Sequence, residues 1–70
     1  MRMDLVFEVL QEGDGGFTAE CLTEPIFAEA DSWDALRSQV QDAVSSYFFD
    51  RPKPAQVRLR LVRDEVLAVA

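Results

Sequence analysis

Thirteen acidic side chains and not one histidine limit what this chain of 70 residues can do chemically. Histidine is the commonest general base near neutral pH and the commonest zinc ligand, so both roles fall to other groups. Asp4, Glu8 and Glu20 sit at alternating positions of segments that read as strands, where they can share one sheet face. Carboxylates so placed can hold Mg²⁺ for a hydrolase or nuclease. The competing reading sets them against Arg58 and Arg60 in a screened surface network, and it is the one favoured here. Cys21 is the single cysteine, so no internal disulfide exists. It falls on the inward side of its strand as a small apolar residue, with no base nearby in sequence to activate a thiolate.

All three glycines lie in one stretch, "EGDGGFTAECLTEP", Glu12 to Pro25. A phosphate-binding glycine loop must run into a helix N-terminus, where free backbone N–H groups point at the anion. Here the glycines run into "FTAEC", which alternates as a strand, and no Lys-Ser/Thr pair follows. The cluster turns a hairpin and binds no phosphate. No cofactor is expected.

The elements that must carry these groups follow from periodicity. In "MDLVFEVL" Met3, Leu5, Phe7 and Val9 alternate with Asp4, Val6, Glu8 and Leu10. After the turn, Phe17, Ala19 and Cys21 alternate with Thr18, Glu20 and Leu22, giving the second strand of a hairpin. Pro25 stops that strand, and "IFAEA" gives a short third one with Ile26, Ala28 and Ala30 inward. Asp31 or Ser32 then caps an amphipathic helix carrying Trp33, Leu36, Val40, Ala43, Val44 and Tyr47 on one side and running to Phe48 or Phe49. Pro52 and Pro54 end it. "QVRLRLV" is a fourth strand, with Val57, Leu59 and Leu61 opposite Arg58, Arg60 and Val62. Arg63, Asp64 and Glu65 read as a turn. "VLAVA" forms a short fifth strand or an apolar tail docked on a neighbour.

One domain of class α+β results, covering residues 1–70: a three-stranded antiparallel meander, a helix on one sheet face, and a further strand. If that strand lies beside the first, Arg58 and Arg60 meet Asp4 and Glu8, and opposite charges across strands favour the arrangement. The first and fourth strands then run parallel through a right-handed crossover, in the order 3-2-1-4.

The net charge of −6 argues against direct nucleic-acid binding. Residues 1–50 carry 11 acidic and 2 basic groups, whereas residues 51–70 carry 5 basic and 2 acidic. This split can be matched within the chain, by a second copy, or by a basic partner. The N-terminal apolar run is interrupted by Asp4 and Glu8, which spoils it as a signal peptide, and no stretch is long enough to span a membrane. A cytoplasmic address is expected. A chain this short has a thin stability margin, and a second copy often completes such a core.

Two features point to an interface. Val6, Leu10, Leu22, Phe27 and Val62 all face away from the helix, an apolar set rimmed by charge. Tyr47, Phe48 and Phe49 are consecutive, so one helix face cannot bury all three; they cap the end of the core or meet a second subunit.

"GDGGFTAECLTEP" followed by "DSWDALRSQVQDAVSSYF" resembles the N-terminal domain of HicB-type antitoxins over about residues 3–62. The likeness rests on Gly16-Phe17-Thr18-Ala19-Glu20 with Pro25, on Ser32, Asp34 and Ala35 at the helix start, and on the spacing of Val40, Ala43 and Tyr47. It departs at Ile26, where the family often has glycine after the proline, and at Ala30, where glycine often precedes the helix. The resemblance implies a reduced RNase H-like fold without catalytic acids, homo-oligomerisation as a dimer or tetramer, and neutralisation of a small basic toxin that attacks RNA. The C-terminal DNA-binding domain of full-length members has no counterpart in "RDEVLAVA", so DNA binding is not expected here. The expected function is a non-catalytic protein-binding module, with Val6, Leu10, Glu20, Leu22, Phe27, Glu29, Phe48, Phe49, Arg58, Arg60 and Val62 as its interface. The alternatives are an orphan homo-oligomeric domain or a metal-dependent hydrolase remnant built on Asp4, Glu8 and Glu20.

Overall fold

The computed structural model describes residues 4–63 and 65–70, so Met3 and Asp64, placed above in the first strand and the last turn, lie outside the described residues. Four strands and one helix follow the expected order: β1 (Asp4–Gln11), β2 (Phe17–Cys21), β3 (Phe27–Ala30), α1 (Trp33–Tyr47) and β4 (Gln56–Val62). The sheet order is β3-β2-β1-β4, with β1 antiparallel to β2 and parallel to β4. The α+β expectation is thereby met.

Local chemistry explains each junction. In the β1–β2 loop the Glu12 N–H donates to the Gly16 carbonyl at 2.7 Å and the Gly16 N–H donates to Asp14 Oδ1 at 3.0 Å. Gly15 has φ +94°, a conformation that side-chain-bearing residues rarely adopt, so glycine is required there. The α1 N-cap is Ser32, whose hydroxyl accepts from the Ala35 N–H at 3.1 Å, with Asp34 in the first turn beside the positive end of the helix dipole. Ser32→Ala leaves that N–H without its side-chain partner, and chemical denaturation should report a loss of about 1 kcal/mol.

The helix ends at Tyr47, one or two residues before the expected limit of Phe48 or Phe49, with Phe48 as its C-cap. Arg51 holds this end by lying over both the Tyr47 and Phe48 rings, 4.7 and 5.0 Å from their centroids. Tyr47 Oη donates to Glu24 Oε2 at 3.0 Å, tying the helix end to the loop between β2 and β3.

The core lies between α1 and one sheet face. Leu5, Phe7 and Val9 of β1 meet Ala19, Cys21, Ile26 and Ala28, and the helix adds Leu36, Val40, Val44 and Phe48. Phe17 and Trp33 close one end in an edge-to-face contact with centroids 5.5 Å apart. The helix packs chiefly on β3 and β2. Consequently the inward residues of β1 are fully buried, whereas Val57 and Leu59 of β4 are only half-buried and Leu61 is exposed.

Residues 65–70 form no strand. Their side chains are exposed, Val66 and Val69 at 95% and 94%. The molecule measures 55 × 23 × 17 Å, and its radius of gyration of 14.1 Å exceeds the value of about 11 Å expected for a compact chain of this length.

Candidate interaction face

The face of the sheet turned away from α1 gathers most of the expected interface residues. Strand register sets their neighbours. Glu8 of β1 stands directly opposite Glu20 of β2, and Glu20 in turn stands opposite Phe27 of β3. On the other side Glu8 faces Arg60, Val6 faces Arg58 and Leu10 faces Val62. Leu22, just past β2, is fastened beside Val6 by its N–H, which donates to the Val6 carbonyl at 3.0 Å. Thr18 pairs with Leu10 on one side and Glu29 on the other.

The result differs from an apolar patch rimmed by charge. Glu8 and Glu20 sit in its middle, and Leu10, Leu22 and Phe27 surround them around a shallow hollow of about 140 Å³. Leu22 and Phe27 are 56% and 58% exposed. Facing like charges in adjacent strands are unfavourable by about 0.2–1 kcal/mol. Glu20→Gln should therefore raise the melting temperature by about 1–8 °C, using the usual conversion for a domain of this size. Differential scanning calorimetry of the two proteins at equal concentration checks this.

The charge network expected between the outer carboxylates and β4 forms only in outline. Glu8 is in register with Arg60, but the ion pairs among the described residues are Arg37 with Asp34 and Arg51 with Asp50. Asp4 stands opposite Gln56 rather than an arginine, and Gln56 Nε2 donates to Asp4 Oδ2 at 3.1 Å. Nor do Asp4, Glu8 and Glu20 converge. Four residues of strand part Asp4 from Glu8, about 13 Å, and no group of three potential ligands that could hold a metal is found among the described residues.

Phe48 requires a correction. Expected at an interface, it is 3% exposed and belongs to the core, while its neighbour Phe49 points to solvent. The signal was present in the sequence: Leu36, Val40, Val44 and Phe48 recur every four residues, the spacing that stacks side chains on one helix face. Cys21 is buried, with its Sγ 3.7 Å from Thr23 Oγ1. No described helix is long and apolar enough to cross a membrane.

A feature that sequence reasoning missed lies on the helix side. Because α1 leans toward β3, a groove of about 600 Å³ opens between it and β4, floored by Val40, Val44, Val57 and Leu59. Nothing in a linear pattern fixes where a helix sits across a sheet.

The chain is 33% identical over 68 residues to a UPF0150 protein of Thermotoga maritima, covering 97% of this chain and 96% of that one. It is 36% identical over 53 residues to a UPF0150 protein of Archaeoglobus fulgidus, covering 76% and 80% respectively. No family model matches the chain, and no solved structure matches it.

Proposed function

The chain belongs to the UPF0150 family, and from that premise we propose that it is a non-catalytic protein-binding module that takes a partner on the sheet face opposite α1. The observation that carries this reading is the Glu8–Glu20 pair, set opposite each other in adjacent strands and flanked by exposed Leu22 and Phe27. A partner that lays a lysine or arginine between the two carboxylates relieves their repulsion, while its apolar side chains cover Leu22 and Phe27. Such an arrangement favours a basic partner through attraction and through a steered on-rate. In its narrower, HicB-like form the partner is a small basic toxin acting on RNA, with Glu29 adding to the acidic surface.

A second reading is favoured by the presence of both signs of charge on one face. Arg58 and Arg60 of one copy can meet Glu8 and Glu20 of another, making the module a homo-oligomer with no toxin at all.

Native mass spectrometry of the protein, tagged and purified gently from its own host, separates these readings. A small basic chain in fixed stoichiometry supports the first. A homo-oligomer alone supports the second. A strict monomer with nothing bound, and no effect of Phe27→Asp on any association, overturns both.

A further inference from the structure

The exposed tail and the uncovered inner side of β4 fit each other. We propose that residues 65–70 form a fifth strand on the free edge of β4 in a second copy, in a reciprocal two-fold exchange, and close the groove between α1 and β4 there.

Four observations converge. First, β4 is an edge strand of seven residues with no proline in it, so one side of its backbone carries unpaired N–H and C=O groups. Second, its inward side chains lack the cover that those of β1 have: Leu61 is exposed and Leu59 half-buried beside the groove. Third, Val66, Leu67 and Val69 are exposed on a tail that forms no strand of its own. Such a tail is the right length and chemistry for strand addition, in which backbone bonds supply affinity and alternate side chains supply fit. Fourth, the residues match in register. When two copies of the segment that includes β4 and the tail run antiparallel about a two-fold axis between residues 63 and 65, Leu67 falls opposite Leu61 and Val69 opposite Leu59. On the other face Val66 falls opposite Val62, extending the Leu10–Val62 pair.

Charge acts both ways in this register: the two copies of Asp64 meet at the axis, flanked on either side by pairs of opposite sign. Glu65 of each copy faces Arg63 of the other. A shift by one residue would turn Leu67 and Val69 from the groove to the opposite face, because side chains alternate strictly along a strand. The two-fold arrangement makes every contact twice, which lets a short segment hold a dimer. This inference does not depend on what the outer face binds.

The test uses the full chain. Sedimentation over a dilution series should give a dimer, and Leu67→Asp with Val69→Asp together should weaken it by more than about 30-fold, the effect of losing central apolar contacts. Both positions are exposed in the single copy, so circular dichroism should be unchanged in form. Glu65→Arg should weaken the dimer, and adding Arg63→Glu should restore it by exchanging the charges. In an equal mixture of isotope-labelled and unlabelled protein, filtered NMR should show contacts between the Leu67 methyls of one copy and the Leu61 methyls of the other. A monomer at every concentration overturns the proposal, as does contact of Leu67 with Leu61 only within one chain. A dimer indifferent to the tail substitutions also overturns it, while leaving the outer-face reading to be judged by Phe27→Asp.

Discussion

Phe7→Ala unfolds most of this protein at temperatures where the native chain is folded. Phe7 lies at the middle of β1, between β2 and β4, and its side chain is wholly buried among the core residues. Removing a buried phenylalanine ring costs about 3–5 kcal/mol, through lost transfer energy and the cavity left behind. Against that stands a total stability of about 0.05–0.15 kcal/mol per residue, which for this length is about 4–10 kcal/mol. Between about a third of the margin and all of it is lost. At about 4–8 °C per kcal/mol, the melting temperature should fall by about 12–40 °C. The measurement is thermal unfolding followed by circular dichroism at matched protein concentration, since association would raise both values. A fall of less than about 5 °C would mean that the neighbouring side chains collapse into the space, and that the sheet centre is not the tightest part of the core.

The second large effect concerns association and leaves the fold intact. Phe27→Asp on the outer face should weaken partner binding by about 30-fold or more, the size expected when a central aromatic contact is lost. The aspartate also stands opposite Glu20 and close to Glu8, so a basic partner is still attracted but loses its apolar seat. Because Phe27 is more than half exposed, the melting temperature should change little beyond the small cost of another like charge in the row. Phe27→Ala separates the terms, for it removes the ring without adding charge. Titration calorimetry with the co-purified partner reads both variants. If Phe27→Ala binds as well as the native chain, the apolar part of the face is not used. If Glu20→Gln also leaves affinity unchanged, the face is not the binding site.

Binding on the outer face centres on β1, β2 and β3, whereas exchange of the tail uses the free edge of β4. Their joint consequence is a dimer with two outer faces, each free to hold a partner. A basic chain would thus be bound in equal numbers with this one, which the native mass spectrum reads directly.

Much of this architecture is decided by local pattern. Period-two alternation sets which of Leu5, Phe7 and Val9 or Val6, Glu8 and Leu10 turns inward, because successive side chains in a strand point to opposite faces. The Glu12–Gly16 turn follows from a position that only glycine takes easily, and the Ser32 cap from a hydroxyl placed before the helix. Even the order β3-β2-β1-β4 was legible, from the short connections of the meander and from the opposite charges that favoured β4 beside β1. The candidate face was legible too, since its membership is a matter of parity along each strand.

What the pattern left open depends on contacts between distant residues. The charge argument pointed to the right neighbour for β4, but the register put Gln56 opposite Asp4 and a valine opposite Arg58. Attraction between solvated charges is too weak and too long-ranged to set a register, whereas packing of Leu59 and Val57 against the core is specific to an ångström. Phe48 was counted with the interface because three aromatics in a row defeat a simple count, although its spacing from Leu36, Val40 and Val44 already pointed inward. The groove beside β4 exists because one helix of 15 residues cannot cover four strands, and where it leans is settled by Trp33 against Phe17 and by Tyr47 against Glu24. The sequence alone determined the elements, their facing and their order, since these follow from each residue's chemistry and its nearest neighbours in the chain. Only the tertiary structure decided which apolar positions go uncovered, since burial is a property of what arrives from elsewhere in the fold.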